Sequence, residues 1–547
     1  MTRRIVRTII QVAAAASFTF LVVLLLDRNY RVLPNSIHGY MPSHHPGLVV
    51  VDVTVTSCSS INIFSTCELD PNRWHRIPKE LYLGETWNSK AFLHVSRKRE
   101  EDLTDDDSVV MDVSVGRLAP ASTTDQSKKW ERRPGGIWIL RSTKKKSSDS
   151  ADAVTDLDVL FGDDAAEARE GWSIVGTPLL LTAGSPLHSA HITVRRGHAL
   201  EPKKPKPRIR DNGRFKIMQI ADMHLSTGVG ACRDAIPDSY KGGSCEADPR
   251  TLDFVTKILE DEKPDFVVFS GDQVNGDTAP DATSAILKYA AILTSRKIPY
   301  ASIFGNHDDE KTTSRKGQMA LLETLPYSLA QSGPSDISGV GNYYVEVLAR
   351  GNSDHSALTV YLLDSHAYSP DEHKYPGYDW IKPNQVEWFK KTATGLKAKH
   401  KEYTHRHMDI AFIHIPLPEY RDKNLARLGQ WKEGVTAPKL NTGFRDALVE
   451  QGVVMVSAGH DHCNDYCSLS TVDGEKETPA LWMCYAGGSG FGGYAGYGGF
   501  HRRVRVFDID TNVARITTWK RLEYGDVESQ LDKQVIVEGG KPVKIQR

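Results

Sequence analysis

Ser302-Ile303-Phe304-Gly305-Asn306-His307-Asp308-Asp309-Glu310 carries an apolar run into a glycine and then directly into an amide, an imidazole and three carboxylates. An asparagine in that company neither titrates nor attacks. Its carbonyl oxygen caps a helix, closes a turn or coordinates a hard cation, and the string alone leaves all three open. The surrounding rhythm narrows the choice. Upstream, Lys216–Ala221 is a short apolar run ending in Asp222-Met223-His224, after which Leu252, Val255, Ile258 and Leu259 recur at helical spacing. Phe266–Phe269 runs into Ser270-Gly271-Asp272, a helical pattern with Ile286, Ala290 and Leu293 follows, and Tyr300–Phe304 leads into the opening string. The order βαβαβ predicts parallel strands joined by right-handed crossovers. Downstream, Asp409–Ile413 ends at His414, and Val453–Ala458 ends at Gly459-His460-Asp461-His462.

Five strand-like runs thus stop at cation-binding residue types: DMH, GD, GNHD, H and GHDH. In open α/β sheets ligands collect beyond the carboxyl ends of strands, so these distant groups are expected to meet in space. Aspartate and asparagine oxygens with histidine nitrogens suit zinc, iron or manganese. Asn306 then reads as a neutral oxygen ligand, adding no charge to a centre that receives an anion. Any one fragment is ordinarily a turn or a polar pair. The five in this order, each at a strand end, carry the reading.

That order, DxH, GD, GNH[DE], H and GHxH over residues 214–520, resembles the calcineurin-like metallophosphoesterase superfamily. Softer features resemble the fungal membrane-anchored cell-cycle regulator phosphatases, related to the purple acid phosphatase branch. These are the N-terminal apolar segment, EPKKP at 201–205, LDSH at 363–366 and HRRVRVF at 501–507. The resemblance implies an α/β fold, a two-layer β-sandwich flanked by helices, and a dinuclear centre of Fe, Zn or Mn. It implies one ion on Asp222, His224 and His462, the other on Asn306, His414 and His460, and Asp272 bridging them. Such paired cations hold a bridging hydroxide and polarise phosphoryl oxygens for in-line attack. His307, next in chain to a ligand, is expected at the rim as general acid, with Asp308 orienting its imidazole. The bland alternative is a hydrogen bond from His307 to a ligand. Purple acid phosphatases carry a tyrosine three residues after the bridging aspartate; Asn275 stands there, so no coloured ferric–tyrosinate centre is expected.

Three neighbouring stretches read as accessories. Residues 225–249, with Cys232 and Cys245, follow the first ligand strand and are expected to hang over the metals or to be a plain surface loop. Gly487–Gly499, GGSGFGGYAGYGG, reads as an aromatic lid or simply as a low-complexity loop. His366 in LDSH is expected at most behind the ligands.

The N-terminus has a different character. Arg3, Arg4 and Arg7 precede an apolar run from Thr8 to Leu26, ended by Asp27-Arg28. This length matches a bilayer, no small-residue cleavage site follows, and the basic flank should stay cytosolic. An uncleaved type II anchor is favoured over a signal peptide, giving residues 1–30 as stub and anchor. The rest would lie lumenal or extracellular in the secretory or vacuolar system; the alternative is secretion after cleavage. Residues 31–45 read as a stalk, and LVVVDVTV, AFLHVS, SVVMDVSV, GIWILRS, LDVLF and AHITVRR as strands of a small β-rich, sandwich-like domain. Long loops are expected near 99–107 and 143–153, and no internal repeat is evident. The organisation predicted is 31–200 stalk and β-rich domain, 201–213 linker, 214–524 catalytic domain and 525–547 tail. Cys58/Cys67, Cys232/Cys245 and Cys463/Cys467 are the close pairs suited to an oxidising lumen, leaving Cys484 over; incidental buried thiols are the alternative.

The formal net charge of −1 gives no pull toward nucleic acid, and the basic runs at 144–146 and 201–210 lack interleaved aromatics. The function expected is a metal-dependent phosphoric ester hydrolase, foremost a phosphomonoesterase acting on a phosphoprotein or small phosphomonoester. Its rivals are a phosphodiesterase acting on a lipid headgroup or glycolipid, and a non-catalytic membrane tether.

Overall fold

A computed structural model describes residues 2–30, 33, 47–61, 66–104, 106–121, 128–142, 152–181, 188–311, 313–472, 475–495 and 501–545. The expected stalk, apart from residue 33, and most of the expected loop at 143–153 lie outside the described residues. The chain divides into two compact units, residues 1–162 with 170–201 and residues 163–169 with 202–547.

The first unit opens with helix α1 (Thr2–Tyr30). Its 21-residue stretch Val6–Leu26 is long and apolar enough to cross a membrane, and none of it is buried by protein. At helical rise it spans about 31 Å. Ile9, Phe18 and Leu21 are all more than half exposed, so the helix is apolar all round, which suits lipid.

The rest of this unit is three antiparallel sheets of three strands each. They are β1 (Leu48–Ser59), β3 (Ser89–Arg99) and β2 (His75–Glu80); β4 (Val109–Val115), β6 (Ile137–Ser142) and β5 (Lys128–Arg132); and β7 (Val154–Phe161), β9 (Ala190–Arg196) and β8 (Trp172–Ile174). In every trio the strand that comes last in sequence lies in the middle. Val53, Leu93, Ile139, Val159 and Ile192 meet in one core, so three sheets surround it where two facing sheets were expected. The first strands of the trios are bulged alike, between Val50 and Asp52, Val110 and Asp112, and Val154 and Asp156. Each bulge aspartate accepts from the next backbone N–H, at 2.9 Å for Val53, 2.8 Å for Val113 and 3.0 Å for Leu157. Each also pairs with an arginine from the next sheet in a closed cycle: Asp52 with Arg133, Asp112 with Arg196, Asp156 with Arg97. This is a threefold internal repeat. Only six residues recur per copy (VVDVTV, VMDVSV, VTDLDV), too few to stand out in the sequence.

The second unit is a two-layer β-sandwich with helices on its outer faces. One seven-stranded sheet has the order β14-β13-β10-β22-β23-β24-β25. Here β10 (Arg214–Ile220), β13 (Phe266–Ser270) and β14 (Tyr300–Ile303) are parallel, as the βαβαβ pattern predicts, and a short antiparallel pair, β11 (Ser239–Tyr240) and β12 (Gly243–Ser244), comes between β10 and β13 in the chain. β22 (Arg503–Asp510), β23 (Arg515–Leu522), β24 (Leu531–Glu538) and β25 (Lys541–Pro542) follow antiparallel. Residues 525–547, expected as a tail, therefore carry two sheet strands; Ile536 and Val537 are fully buried and hold them there. The other sheet has the order β15-β16-β17-β19-β21-β20-β18. Its members are β15 (Tyr343–Leu348), β16 (Ser356–Leu362), β17 (Met408–Phe412), β18 (Ala426–Leu428), β19 (Val453–Ala458), β20 (Cys467–Val472) and β21 (Glu475–Tyr485), and β16, β17, β19 and β21 run parallel. Phe266–Ser270 and Val453–Ala458 are buried at every position, as strands covered on both faces must be.

Helices α2 (Ala247–Glu262), α3 (Ala282–Arg296) and α4 (Arg315–Thr324) belong to the first half of this unit, and α5 (Pro383–His400) and α6 (Phe444–Gln451) pack on the second sheet through Phe389, Phe444 and Leu448. Between the sheets, Gln219 on β10 donates to the Ala458 carbonyl at 3.3 Å and Phe412 meets the Phe507 ring at 6.0 Å. The expected linker residues lie on this unit: Leu348 donates to the Pro207 carbonyl at 2.9 Å and Ile209 to that of Leu348 at 2.8 Å.

Disulfides join Cys58 to Cys67 and Cys232 to Cys245, as spacing suggested. The third departs from it. Cys467 bonds Cys484, because the β20–β21 register sets these two residues opposite each other, and Cys463 stays a buried thiol. Proximity in sequence favoured 463/467; strand pairing decided otherwise.

Candidate metal centre

The carboxyl ends of β10, β13, β14, β17 and β19 deliver Asp222 and His224, Asp272, Asn306, His414, and His460 with His462. Apart from Asn306, these polar groups fall into two sets, Asp222, His224 and His462, and Asp272, His414 and His460. The Nε2 atoms of His224 and His462 lie 3.1 Å apart. His414 Nε2 lies 3.2 Å from Asn306 Oδ1 and 3.3 Å from His460 Nδ1. Asp272 stands between the sets, its Oδ2 3.3 Å from His414 Nε2 and 3.7 Å from His224 Nε2. All seven residues are buried. Every ligand position expected from the sequence is thus brought to one place.

The backbone at these ends is strained. Asp222, His224, Asp272 and His460 have φ of 55°, 48°, 54° and 76°, a region that residues other than glycine rarely enter. A Cβ on Gly305 would lie 2.1 Å from Asp272 Oδ1, which is why the opening string needs glycine before its asparagine.

The donor set fits metal cations. His414 Nδ1 faces the Ser270 carbonyl at 3.0 Å and His462 Nδ1 the Tyr494 carbonyl at 2.6 Å. Each carbonyl accepts a hydrogen bond from Nδ1–H, so Nε2 is the atom turned into the cluster. Lone pairs and carboxylates at 3.1–3.7 Å repel unless a proton or cation stands among them. Burial lowers the pKa of His224 and His460 well below the usual imidazole value. Burial opposes charge on His414 as well, yet Asp272 raises it to about 9. Burial pushes Asp272 up, and the His414 and His224 charges override it, holding the carboxyl well down.

The family model described as Calcineurin-like phosphoesterase matches residues 215–464. Phosphatase DCR2 of Saccharomyces cerevisiae is 39% identical over 72% of this chain and 68% of the yeast protein. The chain belongs to the calcineurin-like phosphoesterases. Similar too is the Arabidopsis thaliana protein called Probable inactive purple acid phosphatase 29, 36% identical over 61% of this chain and 88% of the plant protein. Among solved structures, yellow lupin purple acid phosphatase PPD1 covers 90% of this chain and 93% of its own at 10% identity, with a TM-score of 0.40.

Around the ligands this calcineurin-like phosphoesterase departs from the sequence reading in one role. Asp308 does not face His307. Its carboxylate accepts the backbone N–H groups of Gly305 at 2.7 Å, Asp272 at 2.8 Å and Val274 at 2.9 Å. Burial and the Asp272 charge push its pKa upward. The group facing His307 is Glu310, with Oε1 2.9 Å from Nδ1. Burial lowers the His307 pKa, and Asp272 and Glu310 together raise it above the ordinary value. Glu310 stood three residues on in the opening string, but outside any helix that spacing carries no signal.

LDSH is a brace. Arg315 donates to Asp364 at 2.5 Å and to the Gly305 carbonyl at 2.6 Å, tying β16 to the Asn306 loop. Ser365 Oγ accepts from Ile415 N at 2.8 Å, beside His414. His366 instead pairs with Gln385 at 2.8 Å.

The glycine-rich stretch packs against the ligands; its residues 496–499 lie outside the described residues. A Cβ on Gly493 would sit 2.5 Å from His462 and 2.6 Å from His224. The Tyr494 ring stacks on His462 at 4.0 Å, and its hydroxyl donates to Glu433 at 3.0 Å. Residues 225–249 grip this stretch in turn: Arg233 N donates to the Phe491 carbonyl at 2.8 Å and Asp234 accepts from Ala495 N at 3.2 Å. HRRVRVF contributes Arg502, which donates to the Gly490 and Gly493 carbonyls at 2.6 and 2.9 Å.

A third set, His400, His407 and Asp409, also comes within ligand distance. Its two imidazoles lie face to face, 3.5 Å apart and 14° from parallel. Their lone pairs therefore run side by side instead of converging, and Thr359 Oγ1 bonds both, at 3.2 and 2.9 Å. Burial, then the His407 charge, lowers the His400 pKa to about 4.

Proposed function

We propose that this chain is a metal-dependent phosphomonoesterase, with phosphoproteins or small phosphomonoesters as substrates. The observation that carries the reading is the complete donor set with His307 at its mouth, one third exposed and backed by Glu310. Asp222, His224 and His462 would hold one cation, Asn306, His414 and His460 a second, with Asp272 between them. Two cations there would neutralise phosphoryl oxygens and activate water for in-line displacement. The backbone N–H of His307 bonds Asp272 Oδ1 at 2.8 Å, which fixes the rim residue to the centre. Its imidazole, whose pKa Asp272 and Glu310 raise against the penalty of burial, would donate a proton to the departing oxygen. Glu310 stabilises the imidazolium before that transfer, and the neutral imidazole left behind regains its proton from solvent.

The purified full-length chain in detergent, loaded with Zn²⁺, Mn²⁺ or Fe²⁺ and assayed on aryl and bis-aryl phosphates, tests this reading. Turnover of the monoester first supports it; preference for the diester points to the phosphodiesterase, and metal loading without turnover of either points to the tether. His307→Ala should keep its metal content and lose about 10²–10⁴-fold in rate, less for acidic leaving groups. Equal losses on good and poor leaving groups would remove the acid role.

The membrane reading rests on Val6–Leu26, with Arg3, Arg4 and Arg7 kept cytosolic and the second unit lumenal or extracellular. The chain should stay in the pellet after an alkaline carbonate wash, and deletion of residues 1–28 should release it. Recovery in the wash of a chain that lacks its N-terminal apolar segment would point to a cleaved signal.

A further inference from the structure

Between β16 and α5 the chain folds back on itself at the mouth of the metal centre. Tyr368 and Tyr378 face each other there as an antiparallel bridge, closed by Ser369 N on the Gly377 carbonyl and Asp379 N on the Ala367 carbonyl, both at 2.9 Å. Their rings stack, with centroids 5.7 Å apart and planes 24° from parallel. Tyr378 stands edge-on to His460 at 4.3 Å, while Tyr368 is 49% exposed. A row of rings thus runs from a ligand histidine outward to solvent. Tyr368 also touches the opening string. Its hydroxyl donates to Glu310 Oε1 at 3.2 Å and accepts from Asn306 Nδ2 at 3.5 Å.

The direction of the row matters because Glu310 is also the partner of His307, 2.9 Å from its Nδ1. In an in-line displacement the leaving group departs on the side of its proton donor. The first side chains it meets beyond His307 and Glu310 include Tyr368, with Tyr378 behind. Tyr378 meets His460 only edge-on and Tyr368 meets Asn306 only through its hydroxyl, and a half-exposed tyrosine stacked on another offers a flat apolar face with a wet edge.

We propose that Tyr368 and Tyr378 form a leaving-group subsite for an aromatic ring, making aryl phosphate monoesters, such as a phosphotyrosyl side chain, favoured over alkyl ones such as phosphoserine. This rests on the phosphomonoesterase reading and names its substrate class. In the reaction the bond from phosphorus to the phenolic oxygen breaks, a bond from phosphorus to the water oxygen forms, and that oxygen gives up one proton to solvent, leaving hydrogen phosphate. The electron pair leaves with the phenolic oxygen, which takes the His307 proton. The departing ring stacks on Tyr368 while the phosphoryl group remains with the ligands. Offset or edge-on contact of one further ring corresponds to roughly threefold to tenfold in affinity.

The test uses the full-length chain in detergent, loaded with Mn²⁺, and two peptides differing only in phosphotyrosine or phosphoserine. The quantity read is the ratio of their kcat/KM values, with bound metal measured in every sample. Comparing that ratio between variants cancels the intrinsic ease of losing a phenol. Tyr368→Leu and Tyr378→Leu should lower it about threefold to tenfold, chiefly through KM, whereas Tyr378→Phe should keep it. A ratio within twofold of wild type in both leucine variants overturns the subsite, as does a phenylalanine variant that falls with them. If wild type turns over neither peptide, the phosphomonoesterase reading is what fails. Equilibrium binding of the same two peptides then decides the subsite: a preference for phosphotyrosine lost in Tyr378→Leu supports it, and equal binding by wild type overturns it.

Discussion

Asp272→Asn is expected to lower bound metal from two ions per chain to one or none, with hydrolysis falling by at least about 10²–10³-fold. Among the described residues, Asp272 is the one carboxylate within 4 Å of imidazoles from both sets, at 3.3 Å from His414 and 3.7 Å from His224. It is also the largest influence raising His414 against the penalty of burial. An amide in its place keeps the shape and loses the charge, leaving Asp222 as the sole carboxylate among four imidazoles. Asparagine Oδ1 can still accept from His307 N, so the loop should hold and thermal stability should change little. Elemental analysis by mass spectrometry checks the metal count. Two ions bound at wild-type affinity in Asp272→Asn would take this residue out of the position between them.

Asp308→Ala should act on folding before chemistry. Three buried N–H groups, of Gly305, Asp272 and Val274, lose their acceptor at once. Each unsatisfied donor costs about 1–3 kcal/mol. A total near 3 kcal/mol or above corresponds to a fall of roughly 5 °C or more in the melting of this unit, or to loss of soluble protein. The melting curve followed by tryptophan fluorescence reads it directly. The role first inferred from sequence makes the opposite prediction: if Asp308 merely oriented the His307 imidazole, Asp308→Ala would match His307→Ala in rate and melt like wild type.

These two residues mark where sequence reading succeeds and where it stops. Asp272 was legible because a ligand at a strand end needs only an apolar run, a glycine and a donor, all local in the chain. The parallel strands were legible for a similar reason, since Phe266–Ser270 and Val453–Ala458 are apolar apart from Ser270 and Ser457 and are buried throughout. Asp308 was misread because carboxylates at 308, 309 and 310 look alike in one dimension. Which of them meets an imidazole depends on how the chain turns after Gly305. The turn sends Asp308 inward to backbone N–H groups and leaves Glu310 at the rim. The GGSGFGGYAGYGG stretch was open for the same reason: glycines signal close approach, and only the fold says that the approach is to His224 and His462.

The sequence by itself determined the ligand types, their order and the apolar helix at the N-terminus, because strand burial, metal chemistry and bilayer length are each written in short runs. Tertiary structure alone decided the partner of Cys467, the strands made from residues 525–547, the threefold cycle of aspartates and arginines, and the pairing of Tyr368 with Tyr378. Each of those joins residues through strand register or chain reversal. A one-residue change of register alters such neighbours while leaving local composition untouched, so no local pattern can encode them.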